Sequence, residues 1–217
     1  YSYEDFIEGF RPSASGFDLI KGSFYTFCKK AQDDTDNDYF FIVDEINRGN
    51  LSKIFGELFM LIENDKRGPR NTLQLLYSHE LFYIPSNVYL IGMMNTADRS
   101  LAMLDYALRR RFAFFDLRPG FDSKGFIAYR DSLGNPKLNN LLACTVKLNA
   151  AISDDDTLGD GFCIGHSYFC GMKAADVTDA KLSAIVEYEL APSLREYWFD
   201  EPSKVREWTD ALRKSIK

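Results

Sequence analysis

The sequence lacks the features that mark several special classes of protein. Its 217 residues contain no apolar run near the roughly 20 residues that a membrane-spanning helix needs. Its four cysteines form no C-x-x-C pair, so we expect no disulfide framework and reduced thiols in a cytoplasmic protein. Positive charge is not in excess, because the net charge is −6, and this argues against a surface that binds a nucleic-acid backbone.

Two further absences concern the start of the chain and metal binding. No initiator methionine and no secretory leader precede Tyr1, and we therefore expect a piece of a longer protein. Cys163, His166 and Cys170 lie close in sequence, but no fourth ligand is evident. Because a structural zinc site needs four ligands at tight spacing, these residues are not predicted to bind zinc.

The residue patterns that are present divide the chain into two parts near residues 118–122. Residues 1–120 are predicted to form an α/β domain, and residues 121–217 a small, mostly helical domain. Residues 1–22 are interpreted as a loop with short turns. Helices are predicted at 23–32, 50–65, 100–112, 137–152, 178–199 and 202–216, strands at 39–46, 88–98 and 113–117, and a hairpin at 73–85.

The stretch YFFIVDEINRGN, residues 39–50, carries the first candidate site. Its continuous apolar run predicts a buried strand of a parallel sheet that is covered on both faces, and Asp44 and Glu45 follow at the tip. A second apolar strand, VYLIGMMNTAD, leads to Asn95. Because ligands of open parallel sheets bind at the carboxyl ends of the strands, we expect these three side chains to share a site.

Two carboxylates and an amide in this arrangement suit the hydrolysis of a nucleotide. Asp44 would hold a hydrated Mg²⁺, directly or through water. Glu45 would orient or deprotonate the attacking water, and Asn95 would position that water against the γ-phosphate. The competing interpretation of the acidic pair is that it stabilises the N-terminus of the following helix.

A run of three arginines, Arg109 to Arg111, ends the predicted helix 100–112. Cations at a helix C-terminus complement the helix dipole, which gives the run a structural interpretation. Three consecutive arginines also cover a wide arc of a helix, so at least one is expected to point toward a neighbour. A planar, fixed positive charge suits the transition state of phosphoryl transfer, and an arginine from an adjacent subunit would make hydrolysis depend on assembly.

Four segments together resemble the AAA+ motor of McrB-type proteins, the GTP-dependent subunits of modification-dependent restriction systems. They are YSYEDFIEGFRP, FFIVDEINRGN, LIGMMNTADRSLAMLDYALRRRFAF and GFCIGHSYF, and the resemblance runs from Tyr1 to about Trp198. It implies an α/β fold, with an AAA+ P-loop NTPase-type parallel sheet and helices followed by a small helical lid domain.

The resemblance assigns roles to the candidates at the strand ends and the helix end. Asp44 and Glu45 match the Walker B motif, and Asn95 matches sensor 1. Arg110 and Arg111 match the arginine-finger region, and the sequence leaves open which of them reaches the neighbouring nucleotide.

Three further residues receive roles by resemblance. Asp98, which is also a candidate for nucleotide binding, and Arg99 belong to a family segment that helps to organise the subunit interface. His166 matches an element of the lid domain that closes over the nucleotide. A buried, hydrogen-bonded structural histidine is an equal alternative for His166.

The family resemblance also implies cofactors and partners. It implies Mg²⁺ with GTP, or ATP, and assembly of the protein into a hexameric ring. It implies a McrC-like nuclease subunit as partner, and modified DNA bound through a domain that these residues do not contain. Neither the composition nor the resemblance points to a membrane.

One element of the family pattern is absent from these residues. No G-x-x-x-x-G-K-[ST] motif occurs, and family order places this phosphate-binding loop just upstream of Tyr1. We therefore expect the 217-residue chain alone to bind nucleotide weakly or not at all. Two alternatives remain open: a related ATPase of MoxR or dynein-like type that acts on proteins, and an assembly scaffold that does not hydrolyse nucleotide.

Overall fold

The computed structural model describes residues 1–97 and 106–217, which form two compact units. The first unit comprises residues 1–114 and the second residues 115–217. The first combines strands with helices, whereas residues 115–217, all of which are described, contain no strand. Within the described ranges, no helix is long and apolar enough to cross a membrane.

The first unit contains six short strands and four helices among its described residues. The strands are β1 Glu8–Ser13, β2 Gly16–Lys21, β3 Tyr39–Val43, β4 Leu73–Gln74, β5 Leu81–Phe82 and β6 Val88–Gly92. The α-helices are α1 Tyr3–Phe6, α2 Ser23–Asp33, α3 Leu51–Phe55 and α4 Tyr106–Arg109. Turns of 3₁₀-helix cover Ile46–Arg48, Gly56–Ile62 and Asn64–Lys66.

The second unit is built from helices. They are α5 Lys124–Leu133, α6 Pro136–Ser153, α7 Asp179–Ala184, α8 Ala191–Tyr197 and α9 Pro202–Ser215. A π-helical turn, Ile185–Leu190, joins α7 to α8, and 3₁₀ turns cover Asp160–Phe162, His166–Phe169 and Ala174–Asp176. The helices predicted at 137–152, 178–199 and 202–216 are confirmed, whereas α5 was not predicted.

Strands β3 and β6 form a parallel pair, in which Val43 lies opposite Gly92. Phe41 packs against the core of the unit, but Phe40 and Ile42 are 56% and 58% exposed. The prediction of a strand covered on both faces is therefore wrong for this structure. Successive side chains of a strand point to opposite faces, and the described residues cover only one face of this pair.

The interpretation of residues 1–22 as a loop is wrong. Strands β1 and β2 form an antiparallel hairpin whose register ends with Ser13 opposite Gly16. Gly16 has a φ angle of 134°, a conformation that glycine adopts without a steric penalty, and this permits the tight turn. Most side chains of the hairpin are exposed, so its sequence carries no apolar alternation by which a strand could be recognised.

Two more predicted elements differ from the structure. The predicted helix 50–65 is α-helical only to Phe55, because Gly56 adopts a φ angle of 53° and the chain continues as 3₁₀ turns. The predicted strand 113–117 is not a strand. Its β-forming residues pair with no strand in the described parts of the chain, and Phe115 and Leu117 are almost fully exposed.

Other predictions for the first unit are confirmed. Helix α2 occupies the predicted range. Helix α3 begins where the helix 50–65 was predicted to begin, and the Asn50 side chain caps it by accepting a hydrogen bond from the Lys53 amide at 3.1 Å. The predicted hairpin 73–85 is formed by β4 and β5. His79 lies in its turn with a φ angle of 58°.

Phenylalanines from four elements, including β3, form a cluster in the core of the first unit. Phe6 stacks on Phe24 with ring centroids 5.0 Å apart and meets Phe55 edge to face at 4.9 Å. Phe41 of β3 contacts Phe24 at 5.1 Å. Edge-to-face and stacked pairs of this kind add to the free energy gained from burial, so the cluster fixes β3 and α3 relative to each other.

A buried carboxylate joins the two hairpins of the first unit. The Glu8 side chain is fully buried and accepts hydrogen bonds from the amides of Tyr77 and Ser78 at 2.9 and 2.8 Å. Lys21 donates a third hydrogen bond at 2.7 Å. Burial alone would raise the pKa of Glu8, but the hydrogen bonds from Lys21 and Ser78 outweigh it and lower that pKa.

The core of the second unit contains Trp198, which is 1% exposed. The Trp198 indole donates a hydrogen bond to Asp155 at 2.8 Å, and Lys204 donates to the same carboxylate oxygen at 2.5 Å. Thr157 donates through both its amide and its hydroxyl. The bond from Lys204, with those from Thr157 and Trp198, holds the pKa of Asp155 well below its usual range.

Candidate functional site

The chain segments that follow β3 and β6 stay in contact beyond the ends of the strands. The Met93 amide donates a hydrogen bond to the Val43 carbonyl at 2.9 Å, and the Met93 carbonyl accepts one from the Ile46 amide at 2.9 Å. Because the two strands are parallel neighbours, the residues after Val43 and those after Gly92 leave the sheet at the same edge. Asp44, Glu45 and Asn95 all belong to these segments.

Asp44 and Glu45 form a sharp, exposed turn at the end of β3. The Asp44 carboxylate accepts a hydrogen bond from the Glu45 amide at 2.9 Å. Glu45 has φ and ψ angles of 50° and 44°, in the left-handed region that few residues other than glycine adopt. Its carboxylate forms an ion pair with Arg48 at 3.0 Å. Backbone strain of this type is concentrated at functional sites.

The acidic turn borders a cavity of about 300 Å³ in the first unit. Asp44 and Glu45 supply its carboxylates, and Arg48 supplies a positive charge. Apolar side chains of Ile54 and Phe55 line the rest of it together with other residues of the first unit. A concave surface with a few convergent polar groups is what a small polar ligand requires.

The third predicted residue, Asn95, is exposed three positions after the end of β6. Its side-chain oxygen accepts a hydrogen bond from the Ala97 amide at 3.0 Å, which closes a local turn. The structure thus places Asn95 on the segment adjacent to the acidic turn. Asp98 and Arg99, the next candidates along the chain, lie outside the described residues.

Gly92, the last residue of β6, allows the acidic turn to lie against the sheet. A Cβ atom at this position would come within 2.5 Å of the Ile46 Cδ1 atom and 3.1 Å of its Cγ2 atom. Ile46 is buried and directly follows Glu45. Gly92 was not predicted as a site residue, since only the packing of two distant segments shows why it is glycine.

The two candidate arginines occupy different surroundings. Arg110 is exposed in the turn after α4. Arg111 has a side chain that is 19% exposed, and its Nε atom lies 2.9 Å from a carboxylate oxygen of Glu63. Its guanidinium also lies over the Phe59 ring, 4.5 Å from the centroid. The sequence did not indicate this difference, because the partners of Arg111 lie about 50 residues away in the chain.

His166, the candidate in the second unit, has a well-defined structural environment. Its Nδ1 atom accepts a hydrogen bond from the Gly120 amide at 3.0 Å. Its ring meets those of Phe126 and Phe121 edge to face, at 5.3 and 6.2 Å. These contacts favour the structural role for His166, and a direct role in nucleotide binding stays a prediction.

A second cavity, of about 480 Å³, lies within the second unit and was not predicted. Phe121, Val146 and Cys163 contribute apolar surface, and Arg118 and Asp160 contribute charge. Arg118 and Asp160 face each other at 3.6 Å, but both are largely exposed, so this pair adds little to stability.

The protein groups at the strand ends suit a cation that keeps much of its water. Among the residues that the structure describes, no group of three or more histidine, cysteine, aspartate or glutamate side chains could enclose a metal ion. Mg²⁺ is commonly held by one or two carboxylates together with water and phosphate oxygens. Asp44, exposed at the edge of the cavity, fits this mode of binding.

Comparisons with known proteins place both units in described families. Residues 1–112 match the family described as AAA domain (dynein-related subfamily). Residues 140–206 match the family described as McrB, alpha-helical lid domain. These matches confirm the predicted fold class, an AAA domain with a parallel sheet and helices followed by a helical lid domain.

Two curated proteins are similar to this chain. The type IV methyl-directed restriction enzyme EcoKMcrB subunit of Escherichia coli (strain K12) is 51% identical over 223 residues, which cover 98% of this chain and 48% of that protein. The type II restriction enzyme BsuMI component YdiS of Bacillus subtilis (strain 168) is 28% identical over 129 residues, covering 52% and 36% respectively. The chain therefore spans half or less of the length of these relatives.

Proposed function

This chain belongs to the AAA family, as an AAA domain of the dynein-related subfamily with a McrB-type helical lid, and from this premise we propose that it is the nucleotide-hydrolysing motor of a restriction system. AAA domains in general bind a nucleotide together with Mg²⁺. We propose GTP as the nucleotide, with ATP as the alternative, and the cytoplasm as the place of action. One observation carries the proposal: the backbone hydrogen bonds of Met93 with Val43 and Ile46 hold the segments after β3 and β6 next to each other.

Each residue at the strand ends has a role in the proposed hydrolysis. Asp44 would hold Mg²⁺, directly or through water, and the bound ion would supply positive charge beside the phosphates. Glu45 orients the attacking water and accepts its proton. Asn95 positions the same water through its amide group. The strained backbone of Glu45 and its place in the lining of the cavity support this assignment, because strain of this type is concentrated at functional sites.

The proposed assembly explains why an exposed arginine lies in the same unit as the acidic turn. In a ring, Arg110 at the end of α4 is presented to the nucleotide of the neighbouring subunit, where a guanidinium stabilises the charge of the transferring phosphoryl group. We propose a hexameric ring that drives a McrC-like nuclease on modified DNA, which is bound through a domain outside these residues. The similarity to a methyl-directed restriction subunit of Escherichia coli supports this proposal.

The proposal is tested by replacing Glu45 with glutamine in the full-length protein that contains this chain. We expect Glu45→Gln to lower the rate of GTP hydrolysis by at least about 100-fold, since a general base contributes about 10²–10⁴-fold. Binding of GTP should remain within about threefold of the unmodified protein, because the phosphate-binding elements are unchanged.

Asp36→Asn serves as the matched control, because Asp36 is an exposed acid in the linker before β3. It should hydrolyse GTP at the unmodified rate. Hydrolysis that persists in Glu45→Gln would contradict the role of Glu45, and an unmodified protein that hydrolyses neither GTP nor ATP would favour the scaffold alternative. A preference for ATP over GTP would favour the MoxR-like or dynein-like alternative.

A further inference from the structure

We propose that Arg111 is a positioning residue that fixes the end of α4 through its contacts with Glu63 and Phe59. The inference rests on the proposed function, in which an arginine from one subunit acts on the nucleotide of the next. It resolves an ambiguity of the sequence, because both arginines fall in the same motif.

The end of α4 has one face toward the core and one toward solvent. Leu108 is 4% exposed, and Phe112 packs against the core of the first unit. The Arg111 amide donates a hydrogen bond to the Leu108 carbonyl at 2.9 Å, so the helical turn continues past Arg109. Residues 108, 111 and 112 share one side of this turn by their spacing, while Arg109 and Arg110 are exposed.

Two different contacts hold the Arg111 side chain on the core side. Glu63 provides the ion pair at 2.9 Å, and Phe59 provides an aromatic face 4.5 Å below the guanidinium. Both contacts are partly shielded from water, because the side chains of Arg111 and Glu63 are 19% and 34% exposed. Such contacts are screened less by salt than those between fully exposed charges.

Phe59 and Glu63, which contact Arg111, belong to a segment whose leucine and isoleucine side chains are buried. Phe59 belongs to the 3₁₀ turns Gly56–Ile62, and Glu63 follows directly. Leu58, Leu61 and Ile62 of this segment are at most 4% exposed. Arg111 therefore connects the end of α4 to a fixed surface of its own subunit, and a reach into the neighbouring site would break both contacts.

The test compares four variants of the full-length protein by their kcat and KM for GTP. We expect Arg110→Gln to lower kcat by about 10³-fold, as for the loss of an arginine finger. Arg111→Gln and Glu63→Gln should each lower kcat roughly tenfold through misplacement of Arg110, with little change in KM. Their combination should lower kcat no further than either alone, since both remove the same contact.

A charge exchange separates positioning from direct catalysis. The double variant Glu63→Arg/Arg111→Glu re-forms the ion pair with reversed signs but loses the guanidinium contact with Phe59. We therefore expect it to recover part of the kcat that either single variant loses. A direct catalytic role for Arg111 predicts no recovery, because position 111 then carries no guanidinium. An unmodified kcat in Glu63→Gln, together with a loss of about 10³-fold in Arg111→Gln, would overturn the proposal.

A second measurement does not depend on hydrolysis and uses the 217-residue chain. We expect Arg111→Gln and Glu63→Gln to lower the thermal transition of the first unit, with a double variant that falls less than the sum of the two. Arg109→Gln, at an exposed position of the same turn, should leave the transition unchanged. Additive effects of positions 63 and 111 would overturn the positioning contact, whereas a full-length protein without activity would instead contradict the proposed function.

Discussion

The two units of this chain hold their most distinctive acidic residues in opposite ways. In the second unit, the Asp155 side chain is 6% exposed and accepts hydrogen bonds from three residues. In the first unit, Asp44 and Glu45 are both exposed, and the Asp44 carboxylate accepts its hydrogen bond from the very next amide. An enclosed carboxylate with several donors stabilises a fold, while an exposed one on a strained turn is available to a ligand.

The difference cannot be inferred from local sequence. Asp155 lies in an acidic run, SDDDT, of the kind that is usually a solvated turn, whereas Asp44 and Glu45 follow an apolar strand. Trp198 and Lys204, the donors that enclose Asp155, lie more than 40 residues further along the chain. The number of long-range donors, more than the density of acids, therefore distinguishes a structural carboxylate from a candidate functional one.

The largest effect is expected from Glu8, a buried carboxylate of the first unit that contrasts with the exposed Asp44 and Glu45. Glu8→Ala should lower the free energy of unfolding of that unit by about 3 kcal/mol, because Lys21 and two partly buried amides lose their acceptor. Calorimetry of the 217-residue chain would measure the shift. Both tryptophans, Trp198 and Trp208, lie in the second unit, so the transition followed by tryptophan fluorescence should not move.

Asp18→Ala is the control for Glu8→Ala. Asp18 lies on the same hairpin with an exposed side chain, and its removal should change the free energy of unfolding by less than about 0.5 kcal/mol. Equal losses for the two variants would mean that burial and donor number do not separate structural carboxylates from the rest.

A smaller effect, and one that depends on pH, is expected from Asp155→Asn. This variant should destabilise the second unit by about 1–2 kcal/mol at pH 7, because the charge-assisted hydrogen bond from Lys204 is weakened. The pKa of Asp155 is lower in the folded state than in the unfolded state. Its contribution is therefore complete above the unfolded pKa, near 4, and is lost as the pH falls below that value.

Tryptophan fluorescence during urea unfolding, between pH 7 and pH 2, would measure this dependence. The difference between the unmodified chain and Asp155→Asn should shrink as the pH falls. Asp156→Asn, at the exposed neighbouring position, should follow the unmodified chain at every pH. A difference that stays constant with pH would show that the negative charge of Asp155 does not stabilise the fold.

The smallest effect is expected at Glu45, an exposed carboxylate of the first unit. Glu45→Gly should be more stable than Glu45→Ala by about 1 kcal/mol, since only glycine adopts the left-handed conformation of this position without a steric penalty. Both variants lose the exposed ion pair with Arg48, so their difference isolates the backbone term. Equal thermal transitions would mean that the turn is not held in this conformation in solution.

The sequence predicts the elements whose side chains bury a continuous apolar surface. The apolar runs before Asp44 and Asn95 identify β3 and β6, although the observed strands end earlier than predicted. The hairpin of β1 and β2 escapes prediction because most of its side chains are exposed. Residues 113–117 show the reverse error, because a strand-forming composition needs a neighbouring strand with which to form hydrogen bonds.

The sequence likewise predicts some features of the candidate site and not others. The positions of Asp44, Glu45 and Asn95 after the two strands follow from the order of apolar and polar residues along the chain. The unequal surroundings of Arg110 and Arg111 do not, because Glu63 approaches Arg111 only through the packing of distant segments. Contacts between segments far apart in the chain leave no periodic pattern that a single sequence reveals.

The close approach of Ile46 to Gly92 has a consequence for genetic screens. Every substitution of Gly92 introduces a side chain into space that Ile46 occupies, and it displaces the turn that carries the acidic pair. A saturation mutagenesis experiment would therefore score position 92 as sensitive as a catalytic position, although glycine contributes no reactive group. Loss of function at a position in this region can therefore come from a steric clash or from the loss of a reactive group. Measuring the ligand affinity of each variant, in addition to its phenotype, would distinguish the two causes.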